Sequence, residues 1–293
     1  MIRFLKHTVW ILIITIASAY LLEIIYTHAF TTGFSRNKTQ YVVQLKEAHI
    51  DYIFLGSSRV ENNIDCELVT QLTGKSCINL GLQGSLANDS AALLQILKDH
   101  KVTYEKVFFQ LDYAVNYDSY APAFLSSIAP YQNTDLLSTE FKKQVHTPAM
   151  QLPFVRYAAN DKMIGFREVL LQLYKKPTNI DFTNGFLARD NVGSKLKGSL
   201  PTEISDANQG VNWLRKSEPN HLILYTAPYC KNASNRNIFV KKLEEAYPQV
   251  ISFIDLFDQT DTYFADCGHL NRNGASRFTR ILVEELLLNK NNN

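Results

Sequence analysis

The fold is decided first by the stretch YIFLGSSR at residues 52–59, in which four apolar residues precede a glycine and two serines. An apolar run of this length that stops at a turn residue is typical of a buried strand. Similar runs occupy residues 77–80 and 107–111, and helical patterns at 65–72 and 90–99 separate the three runs. Strands that alternate with helices predict a mostly parallel sheet.

The same alternation returns nearer the C-terminus. Apolar runs at residues 222–225 and 250–254 flank a helical pattern at 235–246, and a helix with one apolar stripe is predicted at 273–288. The chain therefore predicts an α/β fold, in which helices cover both faces of a mostly parallel, five-stranded sheet to give three α/β/α layers.

Between residues 118 and 205 the alternation breaks down. Tyrosines are scattered there among prolines and short helical patterns such as residues 166–174. We expect a largely helical insertion that lies over the sheet, and such insertions often form substrate pockets or lids. An insertion without a functional role is the competing interpretation.

The first thirty residues differ from the rest of the chain. Arg3 and Lys6 precede an apolar run that extends from Val9 to Leu22 and beyond. Its length approaches the roughly 20 residues that a helix needs to span the hydrocarbon core of a membrane. Because the basic residues lie before the run, the positive-inside rule places the remainder of the chain outside the cytoplasm, on the periplasmic or extracellular side.

This apolar segment has two other interpretations. The small residues Ala17-Ser18-Ala19 are typical of a signal-peptide cleavage site. A buried core helix is the third interpretation, which the lack of a polar face disfavours. The expected organisation is an anchor or signal peptide at 1–30, a linker at 31–45, and a folded domain at 46–290 that carries the insertion at 118–205.

Charge and cysteine content limit the classes of function. The 30 Lys and Arg residues against 28 Asp and Glu residues give a net charge of +2, which is too balanced to indicate nucleic-acid binding. Four cysteines fit an oxidising compartment, and their spacing is not that of a zinc site. The first pairings to test are Cys66–Cys77 and Cys230–Cys267, with free buried thiols as the alternative. We expect no metal and no cofactor.

Two stretches carry residue types suited to nucleophilic catalysis. The first, Gly56-Ser57-Ser58, places a hydroxyl at the carboxyl end of the first strand, where ligands bind in open α/β sheets. The second, Asp266-Cys-Gly-His269, comes just before the last helix. An aspartate at this spacing can bind one ring nitrogen of the histidine, which then takes a proton from a serine hydroxyl. Taken singly, each stretch is also compatible with an ordinary turn.

A third stretch, NLGLQGS at residues 79–85, directly follows the second predicted strand. Glycines at such a position let backbone N–H groups approach a ligand closely, as an oxyanion hole requires. A glycine-rich turn between a strand and a helix is the alternative interpretation.

In this order along the chain, the three stretches resemble the SGNH (GDSL) hydrolase superfamily, and within it the membrane-anchored extracytoplasmic members. The resemblance covers about residues 50–115 and 220–288. It implies a flavodoxin-like fold, with Ser58 as the nucleophile and Asp266 with His269 as its proton-accepting pair. It also implies that the backbone N–H groups of Ser58 and Gly84 stabilise the oxyanion.

The chain departs from the family pattern at two places. Ser57 stands where the family usually has aspartate, and Arg59, which follows the nucleophile, becomes a candidate substrate-binding residue. The family also has a side-chain oxyanion donor, an asparagine, after the third strand. Asn116 is the candidate for this donor, while Asp112 would occupy the position as an acceptor in contact with substrate.

The resemblance implies a hydrolase of acyl esters, with an extracytoplasmic glycan as substrate. An O-acyltransferase that modifies a cell-surface polysaccharide beside a membrane acyl-donor protein is the close alternative, since both reactions use the same catalytic groups. The remaining alternative is an inactive binding or assembly protein of the same fold. In an assembly protein Glu23 would meet a partner helix, unless it simply lies at the outer membrane interface.

Overall fold

The computed structural model describes residues 1–145 and 148–288. Its α-helices are α1 Ile2–Thr32, α2 Lys38–Gln44, α3 Ser58–Asn63, α4 Cys66–Thr73, α5 Ala87–Asp99, α6 Pro122–Ile128, α7 Thr139–Val145, α8 Val155–Ala159, α9 Asp161–Ile164, α10 Phe166–Leu173, α11 Gln209–Ser217, α12 Arg236–Ala246 and α13 Arg272–Val283. Its strands are β1 Tyr52–Leu55, β2 Cys77–Asn79, β3 Lys106–Gln110, β4 Gly198–Ser199, β5 Leu222–Tyr225, β6 Ala233–Ser234, β7 Phe264–Asp266 and β8 His269–Leu270. The 3₁₀ turns are Tyr113–Asn116, Ala129–Tyr131, Pro148–Gln151 and Asp261–Tyr263, and a π-helical turn, Glu284–Leu288, follows α13.

The chain divides into two compact units. The first combines Met1–Gln44 with Pro122–Thr178, and the second combines Leu45–Ala121 with the chain from Asn179 onward. This division differs from the expected one, because the middle of the expected insertion groups with the N-terminal helix. Most of the expected linker belongs to the same unit, where α2 buries Val42 and Val43 completely.

The described part of the first unit is helical. Its helix α1 is long and apolar enough to cross a membrane, and none of its most apolar window is buried by protein. This exposure argues against the interpretation as a buried core helix. The C-terminal part of α1 does pack within the unit, where it buries Tyr26, Ala29 and Phe30. Length and composition agree with either a membrane anchor or a signal sequence.

The second unit contains a four-stranded parallel sheet with the strand order β2-β1-β3-β5. In the register, Tyr52 lies opposite Lys106, and Val107 lies opposite Leu222. All four residues of β1 are buried, as is typical of a parallel strand that is covered on both faces. The predicted α/β class is therefore confirmed.

The fifth predicted strand, at residues 250–254, is reduced to a single parallel bridge between Ile251 and Tyr225. There the Thr226 N–H donates to the Ile251 carbonyl over 3.0 Å. The Phe253 N–H donates to Thr226 Oγ1 over 3.0 Å. Because a side-chain hydroxyl takes the place of the next backbone acceptor, the ladder ends after one residue.

The helices of the second unit pack in two groups. Helix α13 contacts α3 and α4, and α5 contacts α11. Inside the sheet, Phe54 of β1 and Phe108 of β3 are fully buried and stack with their ring centroids 4.4 Å apart. Stacked aromatic rings contribute about 1 kcal/mol beyond the burial of their area. The core thereby fixes the two central strands, whose carboxyl ends carry the candidate site.

Both expected cysteine pairs are bonded. Cys66–Cys77 links the first residue of α4 to the first residue of β2. Cys230–Cys267 joins two loops that are 37 positions apart in sequence. The predicted pairing is confirmed, and the alternative of free buried thiols is wrong.

Candidate active site

Ser58 is the first residue of α3, and a tight turn after β1 brings it there. Gly56 has a φ of +151°, and a Cβ at this position would lie 2.6 Å from Val60 Cγ2, so the turn requires glycine. Ser57 caps α3, because its hydroxyl oxygen accepts a hydrogen bond from the Arg59 N–H. The Gly-Ser-Ser sequence therefore ends the strand, begins the helix and places Ser58 at the carboxyl end of β1.

Ser58, His269 and Asp266 form a continuous hydrogen-bonded chain. Ser58 Oγ lies 2.8 Å from His269 Nε2. On the other side of the ring, Nδ1 lies 2.8 Å from Asp266 Oδ1 and 3.0 Å from Oδ2. An imidazole in this position can accept the hydroxyl proton while the carboxylate stabilises the resulting cation. The structure thus brings together the three residues that the sequence analysis selected from two distant stretches.

The Asp266 carboxylate has a full set of donors. Besides the imidazole, Oδ1 accepts hydrogen bonds from the Gly268 N–H (2.9 Å) and the His269 N–H (3.0 Å). Arg189 Nη1 donates to Oδ2 over 2.8 Å. Partial burial raises the pKa of Asp266, but the hydrogen bond and charge of His269, the Gly268 N–H and the Arg189 guanidinium outweigh burial and lower this pKa to about 2. The carboxylate is therefore ionised across the whole range in which an imidazole works as a base.

The Asp-Cys-Gly-His turn is tied to its surroundings on two sides. Asp266 ends β7 and His269 begins β8, so the turn connects two short antiparallel strands. The Leu270 N–H donates to Asn63 Oδ1 of α3 over 2.9 Å. On the other side, the Cys230 N–H donates to the Cys267 carbonyl, next to the disulfide between the same residues. The histidine therefore sits on a short, doubly fixed loop.

Arg59 lines the same cleft as the triad, but most of its guanidinium is engaged with the protein itself. Its side chain is only 3 % exposed and stacks on the Tyr229 ring, with Cζ 3.6 Å from the ring centroid. Nε donates to the Gly268 carbonyl, and Nη2 donates to the carbonyls of Ala227 and Pro228, each over 2.8 Å. Because the guanidinium is covered and engaged with backbone carbonyls, Arg59 connects the nucleophile's helix to the histidine's turn.

The triad lies on a cleft of about 400 Å³ in the second unit. Besides the triad, the residues that line this cleft include Asp112, Tyr113, Lys197, Leu200 and Tyr229. Lys197 and Leu200 belong to the end of the expected insertion. A larger cleft, of about 620 Å³, runs beside β5 and is lined by neither serine nor histidine. The smaller cleft is therefore the one with reactive groups.

Ser58 and Gly84, whose N–H groups the resemblance assigns to the oxyanion, both lie at the cleft. Ser58 is the first residue of a helix, so its N–H has no partner within the helix. Gly84 has a φ of +68° and lies in a turn that the Ser85 N–H closes on the Leu82 carbonyl. Both residues line the cleft. Within residues 1–145 and 148–288, neither N–H has a backbone acceptor in the protein.

The third predicted oxyanion donor, Asn116, is not at the site. Its Nδ2 donates to the Glu203 carbonyl and its Oδ1 accepts from the Ser205 N–H, each over 2.8 Å. Asn116 therefore holds an exposed loop, and that prediction is wrong.

Asp112 lines the cleft instead, and both of its oxygens are engaged. Oδ1 accepts from the Ala114 N–H over 2.7 Å, and Oδ2 accepts from Ser57 Oγ over 3.0 Å. The position after β3 thus holds an acceptor that orients Ser57, and it lies within the cleft wall as the sequence analysis expected.

Two residues at the site, Arg189 and Asn62, were not predicted from the sequence. Arg189 Nε donates to Asn62 Oδ1 over 3.0 Å while its Nη1 contacts Asp266, so the guanidinium joins α3 to the triad carboxylate. Nothing in the sequence around residue 189 identifies it, because its role depends on a contact 77 positions away. Asn62 stands only four positions after Ser58, and its place on the same short helix was the one available signal.

The described residues contain no group of three or more His, Cys, Asp or Glu side chains that could hold a metal ion. No protein-family model matches the chain, and no curated protein matches it. The resemblance to the SGNH superfamily therefore rests on the three stretches of sequence and on the contacts between Ser58, His269 and Asp266.

Proposed function

We propose that this chain is an SGNH-type serine hydrolase that cleaves acyl esters on an extracytoplasmic glycan. The observation that carries the proposal is the chain of contacts from Ser58 Oγ to His269 Nε2 and from His269 Nδ1 to Asp266, at the carboxyl end of a parallel strand. Ligand sites in open α/β sheets lie at this edge. Partial exposure of the histidine, 19 % of its side chain, leaves room for a substrate beside it.

The reaction follows from these positions in two halves. Ser58 Oγ attacks the ester carbonyl carbon as its proton passes to His269 Nε2, and the N–H groups of Ser58 and Gly84 stabilise the negative charge on the carbonyl oxygen. The tetrahedral intermediate expels the alcohol, which takes the proton from His269, and leaves an acyl-serine. Water then gives a proton to His269 and attacks the acyl carbon. The acid departs, and the proton returns to Ser58.

Several features of fold and location support this assignment. The strand order β2-β1-β3-β5, with the bridge to Ile251 at the free edge of β5, is consistent with a flavodoxin-like, three-layer domain whose fifth strand is nearly lost. Two disulfides are consistent with a compartment outside the cytoplasm. Helix α1 is consistent with a membrane anchor, which would hold the enzyme beside an envelope glycan.

An O-acyltransferase is the second candidate. In this reaction a sugar hydroxyl replaces water in the second half, and a membrane protein supplies the acyl group. The observation that favours it is again α1, since an anchored enzyme is held next to a membrane donor. The inactive alternative rests on Asp112, an acceptor in the place where the family has a donor.

One experiment separates the candidates. The full chain in detergent is incubated with an aryl acetate reporter and with a fluorophosphonate probe, with and without oligosaccharide acceptors. We expect labelling and turnover by the wild type, and a loss of turnover on the order of 10⁶-fold in Ser58→Ala. Ser217→Ala, a serine on α11 away from the cleft, should show no loss. Acetylated oligosaccharide as the product identifies the transferase. The absence of both labelling and turnover in the wild type would sink the catalytic proposal and favour the inactive alternative.

A further inference from the structure

The exposed part of α1 has the length of a membrane span. From Ile2 to Leu22 nearly every side chain is exposed, and burial begins only at Tyr26. From Val9, where the apolar run begins after Arg3 and Lys6, to Ile25, the helix has 17 residues and extends about 26 Å at about 1.5 Å each, which lies within the range of about 17–25 residues for a membrane span. Residues 23–25 are thus the place where α1 reaches the membrane–water interface.

A second segment is tied to α1 at this level. Glu23 Oε1 pairs with Arg156 Nη2 over 2.5 Å, and Oε2 accepts from the Phe154 N–H over 2.9 Å. Arg156 also donates to Thr27 Oγ1 over 2.9 Å. The partner that Glu23 needs therefore lies within this chain, and the segment before α8 is held at the height of the interface.

Exposed apolar side chains concentrate in the same unit. Outside α1, the described residues of the first unit expose five large apolar side chains: Leu152, Met163, Phe166, Leu173 and Tyr174, at 47–79 %. The second unit is almost twice as long, and its described residues expose the same number of large apolar side chains, one of which, Tyr113, lines the active-site cleft. Leu152 lies only two positions before the Phe154 N–H that binds Glu23.

Basic residues alternate with these apolar residues. Exposed cations follow or flank the apolar positions of α9, α10 and the turn after α10: Lys162, Arg167, Lys175 and Lys176. None of the four forms a side-chain ion pair with another residue in the described parts of the chain. Apolar side chains interleaved with free cations are typical of a surface that lies in the interface of an anionic bilayer.

We propose that the α8–α10 segment, residues 152–176, forms a second membrane contact that lies in the lipid headgroup region around the base of α1. Leu152, Met163 and Phe166 would enter the acyl boundary, and the lysines and Arg167 would contact lipid phosphates. The first unit would then be held at the membrane by two contacts, α1 and the α8–α10 segment, and not by α1 alone. This inference depends on α1 as a membrane span and is independent of the proposed catalysis.

The test measures the depth of single labelled positions in the full chain, reconstituted in nanodiscs that contain phosphatidylglycerol. All four native cysteines are bonded, so an added cysteine is the one free thiol and takes a fluorophore selectively. The labelled variants are Leu152→Cys and Phe166→Cys, and the control is Ile238→Cys, an equally apolar residue of α12 that is 48 % exposed.

We expect doxyl groups near the lipid headgroups to quench the labels at 152 and 166 at least threefold more than the label at 238. Aqueous iodide should quench them in the reverse order. Iodide quenching at 152 and 166 equal to that at 238 would overturn the proposal. Protection from both quenchers would overturn it too, since protein and not lipid would then cover the surface.

Discussion

At the scale of single residues, the triad depends on the hydrogen bonds that the two oxygens of the Asp266 carboxylate accept. One oxygen accepts from the imidazole and from two backbone N–H groups, and the other accepts from Arg189. A neutral amide at this position has one acceptor oxygen and presents N–H groups to donors. It therefore can neither hold the imidazole in the required tautomer nor stabilise the imidazolium.

Asp266→Asn should accordingly lower kcat/KM for an ester reporter on the order of 10⁴-fold, with little change in the folded structure. Asp190→Asn is the matched control, because Asp190 also pairs with an arginine, Arg272, but on the exposed surface. Its rate should equal that of the wild type. An Asp266→Asn enzyme that keeps more than a tenth of the wild-type rate would contradict the assigned role.

Arg59 contributes to catalysis indirectly, because its hydrogen bonds hold the helix of Ser58 against the turn that carries His269. Arg59→Ala removes three charged hydrogen bonds and leaves buried carbonyls of Ala227 and Pro228 without their donor. We expect the free energy of unfolding to fall by about 3 kcal/mol, as measured by urea denaturation, and kcat to fall more than KM rises. Arg272→Ala, the loss of an exposed arginine, should leave both unchanged. A large rise in KM with an unchanged kcat would instead favour direct substrate binding.

The site residues that sequence could predict are those whose chemistry is local. Asp266 and His269 are three positions apart, and Ser57 and Ser58 follow a strand-ending glycine. The resemblance to the SGNH superfamily then selected Ser58 of the two serines. Arg189 acts through a tertiary contact that no pattern records. Asn116 failed because a short 3₁₀ turn begins at Tyr113 and carries its amide away to the loop at residues 203–205.

At the scale of elements, the loop that carries Gly84 is held by a buried carboxylate. Asp89, on the first turn of α5, is fully buried; its Oδ2 accepts from the Leu86 N–H and its Oδ1 from the Ala121 N–H. Burial raises the pKa of Asp89 to about 6, although the two N–H groups and Ser85 lower it in part. The start of α5, beside the oxyanion loop, therefore contains a group that titrates near pH 6.

The sign of the resulting pH dependence follows from linkage. The folded-state pKa of about 6 exceeds the ordinary value of 3.8, so between these values the folded state binds more protons. Asp89 thus makes the protein less stable as pH rises from 4 to 6, by about 3 kcal/mol in total. The measured quantity is the difference between the free energies of unfolding of the wild type and of Asp89→Asn. We expect this difference to fall by about 2–3 kcal/mol between pH 4 and pH 7. A difference that is independent of pH would show that Asp89 is not the group concerned.

Some of the helices and strands could be predicted from the local sequence pattern, and others could not. The strands β1, β2, β3 and β5 were predicted because each contains a short, mostly apolar run that ends near a turn residue. The run at residues 250–254 is also mostly apolar, yet Thr226 Oγ1 accepts the hydrogen bond of the Phe253 N–H, which would otherwise extend its ladder. Helix α2 was expected to be a linker, since its polar residues Lys38, Thr39 and Gln40 gave no sign that the unit buries them.

At the scale of the whole molecule, the two disulfides sit at different distances from the chemistry. Cys66–Cys77 ties α4 to the edge strand β2 and includes no residue of the candidate site. Cys230–Cys267 passes through the triad turn itself, because Cys267 lies between Asp266 and His269, and the Cys230 N–H binds its carbonyl. One bond therefore supports the framework, and the other also fixes the histidine.

Paired replacement of each disulfide by serines separates these roles. Closed loops of 11 and 37 residues predict losses of about 3 and about 4 kcal/mol in the free energy of unfolding, so the two variants should be similarly destabilised. At a temperature where both remain folded, only Cys230→Ser with Cys267→Ser should lose turnover, by at least tenfold, since the imidazole must lie within hydrogen-bond reach of Ser58 Oγ. Equal turnover in the two variants would show that Arg59 and Asn63 hold the turn without the disulfide. A larger loss in the Cys66–Cys77 variant would contradict the assignment of the site to this turn.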